Sequence, residues 1–121
     1  MNPSVTAVIL NYDLTEDTVA CVRSLQGVEY APLRVLVVDN GSPGDAEGRL
    51  RRELPGIEVR GTGRNLGYTG GINAGFRFAL EQPTDYLLVL NPDTEVDPGF
   101  LAPMVEAMEN DPRAAIAGGT I

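Results

Sequence analysis

Acidic and amide side chains follow three apolar stretches of this sequence. The three sets are Asn11 and Asp13, Asp39 and Asn40, and Asn91 and Asp93. Each set alone is also typical of a turn or a helix cap, which favours the same residue types. In a parallel sheet, however, the carboxyl ends of the strands open on one rim, where the ligands of open α/β sheets sit. Carboxylates there can accept hydrogen bonds from a base or a ribose, or hold a divalent ion, so the sequence predicts a ligand site on this rim.

The residue types that are missing narrow the chemistry of such a site. The chain contains no His, and its nine cationic residues are all Arg. A catalytic imidazole, a Schiff-base lysine and a P-loop lysine are therefore excluded within it. A Cys/His zinc site is excluded as well, because Cys21 is the single cysteine. A bound metal must take oxygen ligands, which indicates Mg²⁺, Mn²⁺ or Ca²⁺, and acid–base work falls to Asp, Glu or Tyr.

Composition and charge indicate one domain of ordinary size. The chain has 121 residues, of which 43% are hydrophobic, and this suits a single core. The formal net charge of −8 argues against nonspecific binding to nucleic acid, so we expect no nucleic-acid partner. No window approaches the roughly 18 apolar residues of a membrane span, and no signal peptide precedes the first predicted strand. A lone cysteine fits a reducing compartment, and we expect a cytoplasmic location, with the inner face of the membrane included.

Short apolar runs alternate with segments of helical periodicity along the chain. The predicted strands are residues 5–10, 35–38, 58–60, 87–90 and 114–117, and the predicted helices are one between Asp13 and Gly27 and those over residues 45–54, 69–80 and 99–110. The unbroken apolar run 87–90 predicts a central strand buried on both faces, and 58–60 predicts a strand near the sheet edge. The alternation predicts a three-layer α/β/α fold with a mostly parallel sheet.

Caps and apolar spacing predict which side of each helix faces the core. We expect Asp13 to cap the first helix together with Glu16, and Pro98 to start the last one. The predicted core faces are Thr18, Cys21, Val22 and Leu25; Ala46, Leu50 and Leu54; Ile72, Phe76, Ala79 and Leu80; and Leu101, Met104, Val105 and Met108. Glycine costs up to about 1 kcal/mol inside a helix, so Gly70, Gly71 and Gly75 predict a close approach of another backbone.

A glycine-rich loop, residues 61–67, carries Arg64, which is a natural partner for a phosphate. Its glycine spacing differs from the dinucleotide-binding fingerprint, which would also follow the first strand. A sugar-phosphate nucleotidyltransferase would have a glycine-rich first turn with a lysine, and a phosphoacceptor receiver domain would need a lysine. The sequence therefore departs from these three classes of nucleotide and phosphate proteins.

Four segments together resemble one family. They read Ala-Val-Ile-Leu-Asn-Tyr-Asp (7–13), Val-Val-Asp-Asn-Gly-Ser (37–42), Arg-Asn-Leu-Gly-Tyr-x-Gly-Gly-x-Asn-x-Gly (64–75) and Leu-Leu-Val-Leu-Asn-Pro-Asp-Thr-Glu-Val (87–96). In order and spacing they resemble the family 2 glycosyltransferases of GT-A fold, and within them the rhamnosyltransferase-like branch. The resemblance covers nearly the whole chain. It implies a Rossmann-like GT-A nucleotide-binding half.

The resemblance assigns an expected role to particular positions. It implies that Leu10, Asn11 and Tyr12 line the nucleobase pocket, largely through their backbone, and that Asp39 hydrogen-bonds the base. It implies that Arg64 and Asn65 lie near the diphosphate or the ribose.

The segment Asn91-Pro92-Asp93 takes the place of the family's D-x-D motif. Its last residue, Asp93, would bind the Mg²⁺ or Mn²⁺ that bridges the diphosphate. Asn91 stands where the family has its first Asp. Because its side chain is neutral, whether this residue contacts the ribose is left open.

The implied activity is inverting, metal-dependent transfer of a sugar, with rhamnose favoured, from a UDP- or dTDP-sugar to a glycan or lipid-linked acceptor. We expect residues 1–121 to be the nucleotide-sugar-binding part, with the acceptor-binding half and the general base after Ile121, and to be inactive alone. A natural short chain is the alternative to a fragment.

Glu95 and Asp97 are expected at the surface and at a helix start. The alternative function is a non-catalytic GT-A-like module for nucleotide binding or protein interaction. A homodimer is expected if an apolar face is left exposed.

Overall fold

The computed structural model of the protein describes residues 2–111. Within this range lie four strands, β1 (Val5–Asn11), β2 (Leu33–Asp39), β3 (Glu58–Gly61) and β4 (Tyr86–Leu90). The same range holds four helices, α1 (Thr15–Gln26), α2 (Ala46–Glu53), α3 (Gly67–Ala79) and α4 (Leu101–Asn110). The predicted strand over residues 114–117 lies outside the described residues.

The four strands form one parallel sheet in the order β3-β2-β1-β4. The chain steps outward from β1 to β2 and β3, and α3 then carries it back so that β4 pairs with the free side of β1. The order of the strands therefore reverses between β1 and β4. In open α/β sheets a crevice for ligands forms at such a reversal, beyond the carboxyl ends of the strands.

Helices cover both faces of the sheet, which confirms the predicted three-layer α/β/α fold. On one face, Ala7 and Ile9 of β1 pack with buried residues of α1 and α2 such as Val22 and Leu50. On the other face, the alternate residue Val8 packs with Ala79 of α3. This alternation follows from the two-residue period of a strand. The predicted core faces of α1 and α2 are confirmed: Thr18, Cys21, Val22, Leu25, Ala46, Leu50 and Leu54 are all buried.

Helix α3 lies close to the sheet because glycines face it. A Cβ atom built on Gly75 would lie 2.8 Å from Val8 Cγ1, and one on Gly71 would lie 2.8 Å from Leu10 Cδ1. A close approach is therefore present at Gly71 and Gly75, but its partners are side chains of β1, β2 and Asn40 rather than the predicted backbone.

Within residues 2–111, β4 pairs with β1 alone. The predicted strand over residues 114–117 lies outside this range, so a central β4 stays a prediction. Its two faces do contact helices: Leu87 packs with the residues that face α3, and Leu88 packs on the other side of the sheet with the residues that face α1 and α2. Only Leu90 is fully buried, and residues 86–89 are half-buried. An unbroken apolar run reports helices above and below a strand, but not the number of strands beside it.

The predicted helix starts needed the largest corrections. Asp13 does not cap α1, because its φ of 55° places it in a left-handed turn and the helix begins at Thr15 without a side-chain cap. Helix α4 begins at Leu101 rather than beside Pro98, whose carbonyl accepts a hydrogen bond from Glu29 N–H at 2.8 Å. At the end of α3, Leu80 is 62% exposed rather than in the core, because it follows the last helical residue.

Candidate functional site

A cleft of about 470 Å³ opens at the carboxyl ends of β1 and β4. The register places the ends of these strands side by side, because Ile9 pairs with Leu90 and the next residues are Leu10 and Asn91. Its polar lining residues are Asn40, Asn65, Asn91 and Asp93, and its larger apolar ones are Leu10, Tyr12, Tyr68, Ile72 and Leu90. The cleft therefore lies at the reversal of strand order, where the fold favours a ligand.

Asp93 lies on this cleft with its side chain exposed to solvent. The turn that carries it is closed by a hydrogen bond from Thr94 N–H to the Asn91 carbonyl at 3.0 Å. The turn is then fixed to α1, because Val96 N–H donates to Ser24 Oγ at 3.1 Å. Asp93 is therefore an accessible carboxylate on an anchored turn.

The negative charges of the anchored turn also affect the pKa of the single cysteine. Burial, and then the negative charges of Asp93 and Glu95, raise the pKa of the Cys21 thiol to about 11. Cys21 is fully buried, as predicted for a small apolar core residue. A neutral, buried thiol of this kind is chemically inert.

The donor set at the turn fits a hard divalent cation that a ligand helps to hold. Asp93 and Asn91 present carboxylate and amide oxygens, which Mg²⁺ and Mn²⁺ prefer. No group of three or more His, Cys, Asp or Glu side chains suited to a metal occurs within residues 2–111. A cation at Asp93 would therefore need oxygens from its ligand, which is how Mg²⁺ commonly binds with substrate phosphates.

Asp39 is 5% exposed and is held by a buried network at the end of β2. Its Oδ1 accepts hydrogen bonds from Ser42 Oγ at 2.6 Å and from Asn11 Nδ2 at 3.0 Å. Its Oδ2 accepts one longer bond, from Ser42 N–H at 3.3 Å. One carboxylate oxygen is therefore fully used, and the other retains capacity for another donor.

Asn11 supports this carboxylate from the neighbouring strand. Asn11 and Asp39 are directly paired in the register of β1 and β2, and Asn11 is fully buried. Its Oδ1 accepts a hydrogen bond from Thr18 Oγ1 of α1 at 2.6 Å, and its backbone carbonyl accepts one from Asn40 N–H at 2.8 Å. The side chain of Asn11 therefore acts within the protein, between α1 and β2.

The loop that joins β3 to α3, residues 62–66, brings Arg64 and Asn65 to the rim of the cleft. Gly41 permits this approach: its φ is 75°, and a Cβ built on it would lie 2.3 Å from the backbone carbon of Arg64. Arg64 is exposed, and its guanidinium has no ion-pair partner in the part of the chain that the structure describes. An unpaired guanidinium on a glycine-bordered loop is available to an anion.

Two exposed tyrosines stand at the rim. Tyr12 follows β1 and is 43% exposed, and Tyr68 lies in the first turn of α3 and is 64% exposed. Both line the cleft, together with the half-buried Ile72 one turn further along α3. The rim thus offers aromatic surface above an apolar floor.

The structure brings together five of the residues singled out in the sequence and leaves three at the periphery. Leu10, Tyr12, Asn65, Asn91 and Asp93 line the cleft, whereas Asn11, Asp39 and Arg64 do not. Sequence reasoning placed Asn40 on the rim with Asp39 but gave it no role of its own, and it missed the cleft position of Tyr68. The signal for Tyr68 was present, since it precedes Ile72 by one helical turn.

The sequence pattern described as "Glycosyl transferase family 2" matches residues 6–121 of the chain. The chain is 30% identical over 108 residues to the N-acetylglucosaminyl-diphospho-decaprenol L-rhamnosyltransferase of Mycobacterium tuberculosis, which covers 83% of the chain and 35% of that protein. It is 35% identical over 91 residues to the low-salt glycan biosynthesis hexosyltransferase Agl10 of Haloferax volcanii, which covers 74% of the chain and 28% of that protein. The chain thus spans about a third of the length of these curated relatives.

Solved structures share the fold. S. aureus TarS 1-349 in complex with UDP superposes with a TM-score of 0.68 and 16% identity, over 91% of the chain and 32% of TarS. The mannosyltransferase PcManGT of Pyrobaculum calidifontis, in complex with GDP-Man and Mn²⁺, superposes with a TM-score of 0.61 and 17% identity, over 78% of the chain and 29% of PcManGT. The GT-A type of α/β fold expected from the sequence is confirmed.

Within residues 2–111 no helix is long and apolar enough to cross a membrane. The resemblance stated from the four sequence segments, including that to the rhamnosyltransferase-like branch, is confirmed by the family match and the named relatives. The chain belongs to glycosyl transferase family 2, a family of transferases.

Proposed function

We propose that this chain is the nucleotide-sugar-binding part of a metal-dependent, inverting glycosyltransferase. The observation that carries the proposal is the cleft between the ends of β1 and β4. There, Asp93 and Asn91 lie on one side and Asn65 and the first turn of α3 on the other. Such a cleft has an exposed carboxylate for a cation and a helix start for an anion.

The base is proposed to bind near the end of β2. Asp39 Oδ2 has capacity for the ring N–H of uracil or thymine. Tyr12 follows Asn11, the residue paired with Asp39, and offers an exposed ring at the rim. Asn11 and Ser42 hold the carboxylate in place, so the acceptor would be fixed before a nucleotide arrives.

The diphosphate is proposed to lie between Asp93 and the β3–α3 loop. A divalent cation held there would stabilise the charge that develops on the leaving diphosphate. Asp93 would hold that cation on an anchored turn, Asn91 would contribute its amide to the ribose or the phosphates, and Arg64 would pair with a phosphate. These residues bind and orient the donor, while deprotonation of the acceptor is left to a carboxylate that we expect after Ile121.

The names of the relatives and neighbours support a substrate class. The Mycobacterium tuberculosis relative is named N-acetylglucosaminyl-diphospho-decaprenol L-rhamnosyltransferase, TarS was solved with UDP, and PcManGT was solved with GDP-Man and Mn²⁺. We propose a UDP- or dTDP-sugar donor, with rhamnose favoured, and a glycan or lipid-linked acceptor. We propose residues 1–121 as one nucleotide-sugar-binding domain in the cytoplasm, at the inner face of the membrane. A homodimer remains a prediction that sedimentation of the chain would check.

Calorimetric titration with UDP and dTDP, with and without MnCl₂, tests the proposal. We expect Mn²⁺ to strengthen binding and Asp93→Ala to abolish that gain, because the variant lacks the carboxylate that would hold the cation. Asp97→Ala is the matched control, because Asp97 is an exposed carboxylate just after the same turn and does not line the cleft. An unchanged Mn²⁺-dependent affinity in Asp93→Ala would refute the metal role. No binding of any nucleotide by the wild-type chain would favour the non-catalytic interaction module.

A further inference from the structure

Asn40 is the most completely bonded side chain beside the cleft. It is 2% exposed and follows the last residue of β2. Its Oδ1 accepts hydrogen bonds from Leu66 N–H at 3.1 Å and from Thr62 Oγ1 at 3.2 Å. Its Nδ2 donates to the Gly67 carbonyl at 3.0 Å and to Asn65 Oδ1 at 3.4 Å. All of these partners lie in or next to the β3–α3 loop.

The four bonds use both ends of a side-chain amide, which no other short side chain can match. A carboxamide has two donor hydrogens and an acceptor oxygen with two lone pairs. Asp would keep the acceptor but would oppose the Gly67 carbonyl with a negative charge, and Ser or Ala would reach fewer partners. The backbone of Asn40 is fixed as well, because its N–H donates to the Asn11 carbonyl at 2.8 Å.

The loop held in this way carries the groups that face an anion. Arg64 and Asn65 belong to it, and α3 begins at Gly67, whose N–H donates to Asn65 Oδ1 at 2.8 Å. The first turn of a helix carries N–H groups without helical partners and a partial positive charge, which favour an anion. The guanidinium of Arg64 has no ion-pair partner within residues 2–111 that would fix it independently. The start of this loop is held by the hydrogen bond from Thr62 N–H to the Asp39 carbonyl at 3.0 Å, and the rest of it is held by Asn40 and by the backbone contact at Gly41.

We propose that Asn40 is a positioning residue for diphosphate binding: its buried carboxamide holds the β3–α3 loop and the start of α3 where they can receive a phosphate. The inference rests on the proposed function, because it assumes that the cleft binds a nucleoside diphosphate. Asn40 itself acts through Arg64, Asn65 and the first turn of α3.

The first test needs no nucleotide. Amide hydrogen exchange of the whole chain would compare wild type with Asn40→Ala, with Asn110→Ala on the distant, exposed end of α4 as the matched control. We expect the protection of the Leu66 N–H to fall at least about tenfold in Asn40→Ala, while protection within β1 and β2 stays high. Unchanged protection at Leu66 would overturn the inference.

The second test uses UDP with MnCl₂ and compares it with uridine, which lacks phosphate. We expect Asn40→Ala to weaken UDP about tenfold, which corresponds to about 1.4 kcal/mol, and to change uridine binding much less. A purely structural role would weaken both ligands alike, and that result would contradict the proposal.

Coupling to Arg64 gives the sharpest readout. If Asn40 acts through the loop, the double variant of Asn40→Ala and Arg64→Ala should bind UDP no more weakly than the weaker single variant. Additive losses would show that Asn40 acts by another route.

Should Asn40→Ala fail to fold, both tests can use Asn40→Asp and Thr62→Val, which each remove part of the same hydrogen bonds. Should wild type bind no nucleotide, the proposed function fails, and hydrogen exchange still decides whether Asn40 holds the loop.

Discussion

At the scale of the residue, the carboxylate of Asp39 combines a structural and a proposed binding role. Three hydrogen bonds from Asn11 and Ser42 hold it, and one of its oxygens retains capacity for a ligand. A side chain that is fixed in this way loses little freedom when it binds a base.

Asp39→Ala is expected to weaken UDP and dTDP by about ten- to a hundredfold, since a hydrogen bond to a charged group is worth about 1.5–3 kcal/mol. Calorimetry in MnCl₂ would measure the loss. Inorganic pyrophosphate serves as the matched ligand without a base, and its affinity should change little. Wild-type affinity for both nucleotides in the variant would remove Asp39 from the base pocket.

The pair formed by Asn11 and Asp39 should tolerate no second negative charge. Asn11→Asp replaces the donor 3.0 Å from Asp39 Oδ1 with a carboxylate, and we expect a loss of about 3 kcal/mol in the free energy of unfolding at pH 7. Guanidinium unfolding at pH 7 measures this, with Asn73→Asp on the exposed face of α3 as the control. Equal stability of Asn11→Asp and wild type would mean that the network does not exist in solution.

The residue types at the site could be predicted from the sequence, but their partners could not. Asp93 and Asn91 were recognisable because a carboxylate after an apolar run and a Pro is a local pattern. Asn40 was recognisable as a rim residue, but its partners were not, because its bonds reach residues 22 to 27 positions away in the chain. Contacts at such separation depend on the packing of α3 against the sheet, which local spacing does not determine.

At the scale of the element, α3 is the helix whose position depends most on small residues. Gly75 is buried against Val8 and Val38, and Gly71 against Leu10 and Asn40. Larger side chains at these positions would push α3 outward and move its first turn, which borders the cleft.

Gly75→Ala is expected to lower the free energy of unfolding by about 1–2 kcal/mol, because overpacking outweighs the gain of up to about 1 kcal/mol in helix propensity. Its new Cβ would lie 2.8 Å from Val8 Cγ1 and 3.3 Å from Val38 Cγ2. Urea unfolding would measure the change. Asn73→Ala, on the solvent side of the same helix, should cause no loss. A Gly75→Ala variant more stable than wild type would show that α3 can shift without cost.

Element type and order were predictable, whereas element ends and neighbours were less so. The alternation of short apolar runs with segments of helical period 3.6 predicted the order of elements from β1 to α4, because these patterns record which faces are buried. The start of α1 was mispredicted because Asp13 enters a left-handed turn and donates its N–H to Ser42 Oγ at 2.8 Å, a residue of another loop. The pairing of β4 with β1, rather than with the preceding strand β3, was hidden for a similar reason, because it depends on how distant parts of the chain pack.

At the scale of the whole molecule, charge opposes the proposed ligand. The chain carries a net charge of −8, and a nucleoside diphosphate is also an anion. Long-range repulsion should therefore slow association unless a cation is present or salt screens it.

In the absence of Mn²⁺, the association rate of UDP is expected to rise about two- to threefold between 10 and 150 mM KCl, as the Debye length shortens from about 30 to 8 Å. Most anion sites behave in the opposite way, because salt screens an attraction. Stopped-flow mixing with a fluorescent UDP analogue would measure the rate, with an uncharged nucleoside analogue as the control. A rate that falls with salt would indicate that Arg64 and the start of α3 outweigh the net charge.

The direct pairing of Asn11 with Asp39, and of Ile9 with Leu90, also sets where the chain can change in length. One residue inserted within β1 would turn every later side chain of that strand to the opposite face and separate the two polar partners. A residue added beside Gly56, in the exposed turn after α2, would disturb no such pairing. Relatives of this chain should therefore vary in the lengths of their turns and keep the spacing within their strands constant.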